Sequence, residues 1–420
     1  MRRRFTSSSV GISLLAAASS MASESAALQI PTLSLRTFRA APSSERDDDG
    51  GTAGPSPAGP SLEEASLDMP IIGLGTYKFK KGTGEVSRAI GDALRAGYRH
   101  IDTAFVYGGE KTEGEIGEAL SSLLSRPGRD SPPSAGGIGR SDLFLTSKQW
   151  RAYHGYEPTL RCLDLSLRRL RTDYLDLYLI HWPGPAYNTM ARSRERMELS
   201  PDGPFVYAKD GHGRDELAGL RSETWRAMED ALFRGKVRSI GVSNFTVGHL
   251  ESLKRTARVW PPAVNQIELH PYNPQTELVD YCRREGIAVQ AYASLGRQDA
   301  GRKSWSALGG KLLERTEVAD VAERHGRAPA QVLLRWATQR GLCVIPKSTD
   351  AGHMRMNLEA VSDGGGGFRL SREDMEAIDS LDQSRVDVPS SDGSGVSGSR
   401  PNEKARLCWV RDPLKMLDFD

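Results

Sequence analysis

Eight short apolar runs, alternating with longer stretches of helical spacing, constrain the fold of this chain more than any other feature. The runs are 71–74, 98–101, 143–146, 175–180, 239–242, 264–267, 288–291 and 343–345. Such alternation implies parallel strands, because a parallel pair needs a long crossover where an antiparallel pair needs only a tight turn. Eight strand–helix units predict an α/β fold of one kind, the (β/α)8 TIM barrel, which takes about 250 residues or more. The chain has 420 residues, so a barrel over 67–385 is expected between an N-terminal extension and a C-terminal tail, 386–420. Helices are predicted over 85–96, 115–124, 157–170, 223–233, 247–255, 275–285 and 329–340, with 355–360 as the eighth. Leu160, Leu163, Leu167 and Leu170 form an apolar stripe of the kind that lies on a sheet. The polar segments between Leu124 and Asp142, and between Trp182 and Arg221, read as enlarged surface loops.

A parallel barrel gathers its strand C-termini on one face, where barrel enzymes do their chemistry. Read off this sequence, those ends carry Thr76 and Tyr77, Asp102 with Tyr107, Ser147 and Lys148, His181 and Trp182, Ser243 and Asn244, Gln266 with Glu268 and His270, Tyr292, and Lys347 with Ser348. Each alone has a plain packing explanation, but four proton-handling groups on one face suggest carbonyl reduction. That reaction needs a hydride donor and an acid for the developing alkoxide. Tyrosine, with a pKa of ~10, is a poor acid at neutral pH, and a neighbouring cation lowers that value by ~1–3 units. Lys148 supplies such a cation, Asp102 holds its ammonium, and His181 orients the carbonyl oxygen. No metal-ligand spacing is present, and no GxGxxG, which disfavours a two-domain dinucleotide-binding fold.

GYRHIDTAFVYGGE (97–110), LTSKQW (145–150), LIHWP (179–183), GVSNF (241–245), NQIELHPY (265–272) and IPKS (345–348) together resemble the aldo-keto reductase superfamily over about Met69 to Leu381. The resemblance implies catalytic roles for Asp102, Tyr107, Lys148 and His181, and NADPH/NADP+ as cofactor. Ser243, Asn244 and Gln266 would bind the nicotinamide amide, with Tyr292 stacked on its ring. Lys347 and Ser348 would meet the adenosine 2′-phosphate, and Thr76, His353 and Asn357 complete the implied cofactor set. Trp150, Trp182 and Tyr77 would wall the substrate pocket; Tyr77 stands where many relatives have Trp. Glu268 and His270 are expected to be scaffold. His353 replaces a phosphate-binding Arg, so NADPH is expected to be preferred over NADH only moderately, on the order of 10–100-fold. The implied activity is that of an NADP-dependent alcohol dehydrogenase, reducing an aldehyde or ketone. The substrate stays open between an aldose, a small aldehyde, a lipid-derived aldehyde and a keto ester. The alternative is a cofactor-binding regulatory or sensor subunit of the same fold.

The first forty residues differ from the rest. Arg2, Arg3 and Arg4 precede an apolar run, Val10 to Ala18, and then a stretch rich in Ala and Ser. This reads as a targeting segment, for an organelle (plastid or mitochondrion) or for export. The Asp/Gly/Pro/Ser-rich residues from Pro42 to Ser61 read as a solvated linker. Residues 1–60 are therefore expected to add nothing to the folded domain. A formal net charge of +2 gives no argument for nucleic acid, and no run approaches the ~18 apolar residues of a membrane span. Cys162, Cys282, Cys343 and Cys408 lie too far apart for metal-ligand or CxxC spacing and read as idle thiols. A small-molecule carbonyl substrate and a monomer are expected.

Overall fold

The computed structural model describes residues 28–40, 62–109, 111–124, 137–185, 214–297, 308–363, 367–389 and 396–401. Its centre is an eight-stranded parallel sheet in sequential order. The strands are β3 (Leu74–Gly75), β4 (His100–Asp102), β5 (Phe144–Gln149), β6 (Leu177–Ile180), β7 (Ile240–Ser243), β8 (Val264–Glu268), β9 (Ala288–Tyr292) and β10 (Cys343–Val344). The first and last meet: Ile72 bridges Val344 in parallel, and the Gly73 N–H donates to Val344 O at 2.9 Å. The sheet is thereby a (β/α)8 barrel. Gly75 lies on this seam because a Cβ there would come within 2.5 Å of Ile345 O.

Side-chain alternation separates two apolar layers. Leu177 and Leu179 of β6 point into the barrel with Phe144, whereas Tyr178 and Ile180 point out into the main core beneath the helices. The helices are α1 (Glu85–Ala96), α2 (Lys111–Leu123), α3 (Tyr156–Leu170), α4 (Arg214–Phe233), α5 (Val247–Lys254), α6 (Thr276–Glu285), α7 (Thr316–His325), α8 (Pro329–Gln339), α9 (Ala351–Val361) and α10 (Arg372–Asp379). In α1, Val86, Ala89, Ile90, Ala93 and Leu94 are buried, the spacing of one helical face. Gly97 then ends it at φ 112°, its N–H reaching back to Ala93 O and Leu94 O.

Each strand predicted from the sequence overlaps an observed one. The differences lie elsewhere. Helix α4 begins at Arg214, inside the stretch read as loop, and α9 begins at Ala351, ahead of the predicted 355–360. Helices α7 and α10 were not anticipated. The larger correction concerns residues 1–60: Thr32–Ala40 forms strand β1, antiparallel to β2 (Leu62–Pro70). Alternate residues Leu35, Thr37, Leu67 and Met69 are buried, and Leu35, Leu67 and Met69 pack on Phe144, Leu177, Leu179 and Val264. This hairpin is the floor of the barrel, at the end away from the strand C-termini. Burying each such side chain stabilises the fold by about 1.5–3 kcal/mol. The linker reading, and most of the targeting segment, fall on residues outside those described. In the tail, Arg385–Pro389 (β11) pairs antiparallel with Val396–Pro401 (β12).

Candidate active site

At the carboxyl ends of β4 and β5 a buried ion pair forms the base of the site. Lys148 Nζ donates to Asp102 Oδ1 at 2.7 Å and to Thr103 O at 2.8 Å, and its third donor reaches Tyr107 Oη at 3.4 Å. Lys148 and Asp102 are 0% and 1% exposed. An unpaired buried ammonium would be very costly, and here three oxygens surround it. Burial pushes the Lys148 amine below its usual range, while the Asp102 charge opposes that shift. Tyr107 is half-buried at the mouth of the site, in the turn that follows β4.

His181, immediately after β6, meets Tyr107 edge-on at 5.9 Å between ring centroids. Its Nδ1 is buried with no hydrogen-bond partner among the described residues. Burial, then the charges of Lys148 and Arg151, hold its pKa well below the ordinary histidine value, so the imidazole is neutral at pH 7. Trp150 lies 5.7 Å from His181, and Trp182 stacks at 6.3 Å. Tyr77, 54% exposed, tilts against Tyr107 at 5.1 Å. These rings lie in sequence, Tyr77 on Tyr107, Tyr107 on His181, and His181 on Trp150 and Trp182.

The polar groups at the ends of β7, β8 and β9 interlock beside this pair. Ser243 Oγ donates to Gln266 O at 2.8 Å, Tyr292 Oη donates to Asn244 Oδ1 at 2.8 Å, and Asn244 Nδ2 donates to His181 O at 2.9 Å. Asn244 takes a positive φ of 65°, which Asn tolerates better than most residues and which turns its amide into this cluster. Gln266 Nε2 donates to Asp102 Oδ2 at 2.8 Å. Thr76 is buried and spends its hydroxyl on Asp102 O. Glu268 and His270 are buried and hydrogen-bonded to each other at 3.1 Å.

Lys347 is exposed after β10, its Nζ 5.5 Å from the Phe79 ring centroid. Ser348 Oγ caps the turn by accepting from Asp350 N at 3.1 Å. His353 is exposed on the first turn of α9, and Asn357 is buried against the Tyr98 phenol. Sequence reasoning missed Asp350. It is the N-cap of α9, and its carboxylate accepts from His353 N at 2.7 Å, using a helix N-terminal amide that would otherwise be open to an anion. An Asp directly before a helix is a legible capping signal.

Among the described residues no cluster of His, Cys, Asp and Glu is suited to a metal. Cys162, Cys282 and Cys343 are buried and unbridged, with burial pushing each thiol up to about 12, so they are inert as nucleophiles. Cys408 lies outside the described residues.

A profile of the Aldo/keto reductase family matches residues 71–383. The chain belongs to the aldo/keto reductase family. It is 40% identical over 323 residues to aldo-keto reductase family 1 member A1 of Mus musculus, covering 76% of this chain and 89% of that protein. It is 36% identical over 326 residues to the glyoxal reductase of Bacillus subtilis (strain 168), covering 78% and 94%. Among solved structures, an aldo/keto reductase from Brucella melitensis superposes with a TM-score of 0.59 at 33% identity, covering 84% of this chain and 99% of that one. The aldose reductase of Schistosoma japonicum gives 0.57 at 34%, covering 76% and 90%. Membership in this family makes the chain an oxidoreductase of carbonyl compounds that draws on a nicotinamide cofactor.

Proposed function

We propose that this protein reduces an aldehyde or ketone to an alcohol with NADPH, Tyr107 acting as the general acid. The observation that carries the reading is the placement of Lys148 Nζ between the Asp102 carboxylate and the Tyr107 hydroxyl. The polar groups present suit a dinucleotide: amides and a hydroxyl on Ser243, Asn244 and Gln266 for the nicotinamide amide, and the exposed Lys347 ammonium for a phosphate. When bound, the reduced nicotinamide supplies the hydride. Tyr107 gives its hydroxyl proton to the alkoxide oxygen, and Lys148 stabilises the phenolate left behind, so both act where charge develops. Asp102 fixes that ammonium. His181, kept neutral by its surroundings, donates one hydrogen bond to the carbonyl oxygen and cannot be the acid itself at pH 7. Trp150, Trp182 and Tyr77 hold an apolar substituent and exclude water.

Relatives named for glyoxal and aldose reduction favour aldehydes as the substrates. The purified full chain is expected to oxidise NADPH in the presence of an aldehyde panel. Cofactor binding without turnover on any aldehyde or ketone would overturn the proposal. The targeting reading of the N-terminal segment rests on sequence and concerns residues ahead of β1; a fluorescent fusion of that segment that stayed diffuse in the cytosol would refute it.

A further inference from the structure

Strand β6 ends at Ile180, so the ladder that fixes the His181 end of the strand gives no hold on the residues that follow it. His181 itself is anchored at both backbone groups: its N–H donates to Gln149 O at 3.2 Å, and its carbonyl accepts from Asn244 Nδ2. The next four residues, Trp182 to Pro185, contain two prolines, which have no N–H to donate. Their carbonyls are the handles left, and two guanidinium groups from different elements take three in succession. Arg221 of α4 donates from Nη1 to Pro183 O at 3.4 Å. Arg151, in the turn after β5, donates from Nε to Gly184 O and from Nη2 to Pro185 O, both at 3.2 Å. Arg151 also lies over the Trp182 ring at 5.5 Å, and the buried His154 ring lies against the Trp182 and Gly184 backbone. Arg151 and Arg221 are only 8% and 3% exposed. Burying a guanidinium is expensive, so its use against the backbone of one short segment calls for a reason.

We propose that Arg151 and Arg221 are positioning residues: together they clamp the backbone of 183–185, so that the Trp182 indole and the His181 imidazole keep their places against the reacting carbonyl. Neither touches substrate. They act by denying the segment the small displacements that a catalytic site does not tolerate, where about 1 Å can cost 100-fold in rate. The rigid planar fork of Arg is suited to holding two adjacent carbonyls in fixed geometry, where Lys offers only a point charge on a flexible stem. The inference rests on the reading of this site as a carbonyl reductase.

The test uses the full chain with Arg151→Lys, Arg221→Lys and the double variant, assayed with 4-nitrobenzaldehyde and NADPH. Each single variant is expected to lower kcat/KM by about tenfold or more, with a raised KM from the displaced Trp182 and a lowered kcat from the displaced His181. The Kd for NADP+, read from quenching of tryptophan fluorescence without turnover, should be unchanged. Because both arginines hold one segment, the double variant should lose less than the product of the two singles. Wild-type kcat and KM in the singles would overturn the clamp. So would losses that multiply independently, or that run parallel with loss of cofactor binding and of folded protein. If Arg151→Lys does not fold, Arg221→Lys decides on the same criteria. A wild-type chain that never oxidises NADPH would instead refute the proposed function.

Discussion

Gln266 donates from Nε2 to Oδ2 of Asp102 across 2.8 Å, while the other carboxylate oxygen holds Lys148 at 2.7 Å. A residue of the proposed nicotinamide cradle and the proposed catalytic ammonium therefore share one carboxylate. Gln266→Leu should consequently weaken NADP+ binding and also slow turnover at saturating cofactor. Losing a hydrogen bond to a charged group costs about 1.5–3 kcal/mol, so kcat should fall by at least about tenfold. Measuring cofactor Kd and kcat on the same preparation separates the two effects. A change in Kd alone would show that the shared carboxylate does not couple them.

Acid should destabilise the fold through its buried imidazoles, His100 and His154 as well as His181. Burial lowers His100 to about 4, and burial with the Arg151 charge lowers His154 to about 3. Both sit below the unfolded value of ~6.5. Their contribution is therefore fully present above pH ~6.5 and is lost as the pH falls toward those folded values, because the unfolded chain takes up protons that the folded chain refuses. At pH 5 each costs roughly 2 kcal/mol relative to neutral pH. Thermal melts should show a marked fall in Tm between pH 7 and 5, and His100→Gln should flatten it. A Tm that stays level over this range would contradict the burial of these rings.

The barrel floor gives a stability prediction that reverses a sequence-based one. Leu35 is 1% exposed within the cluster of Met69, Phe144, Leu177, Leu179 and Val264. Leu35→Ala should cost about 2–5 kcal/mol, whereas Ser34→Ala, on the exposed face of the same strand, should change stability by no more than about 0.5 kcal/mol. Denaturant unfolding of both variants checks this. Equal stabilities would mean that β1 is not part of the folded domain.

Cofactor preference should be limited by Asp350. Its carboxylate is held ionised, chiefly by the His353 N–H, at the helix end where the adenosine 2′-phosphate is proposed to sit. Like charges there offset the attraction of Lys347. Asp350→Ser keeps a helix cap but removes the charge, so the ratio of NADH to NADPH Kd should rise by about tenfold, the equivalent of one modest electrostatic contact. An unchanged ratio would place the phosphate elsewhere.

The strand-end residues of the proposed site were legible because strand ends follow from a hydrophobic period that long-range packing does not alter. Lys148, Asp102, Tyr107 and His181 are brought together as the barrel topology requires. What escaped the sequence was set by local context or distant pairing. Strand β1 alternates in its buried residues, but its Arg and Ser content merged it with the leader-like segment. Its partner β2 begins more than twenty residues later, at Leu62. The clamp on 183–185 was hidden because nothing in a lone arginine announces that its donors will close on backbone carbonyls far along the chain.

The proposed mechanism turns on the Tyr107 proton. Single-turnover reduction of an aldehyde by NADPH-loaded Tyr107→Phe, compared with the wild type, measures that step apart from cofactor release. Phenylalanine keeps the ring packed against Tyr77 and His181 and removes only the hydroxyl that Lys148 faces. The hydride-transfer rate should fall by at least ~100-fold while NADP+ affinity holds. Near wild-type transfer in this variant would assign the acid elsewhere and contradict the mechanism.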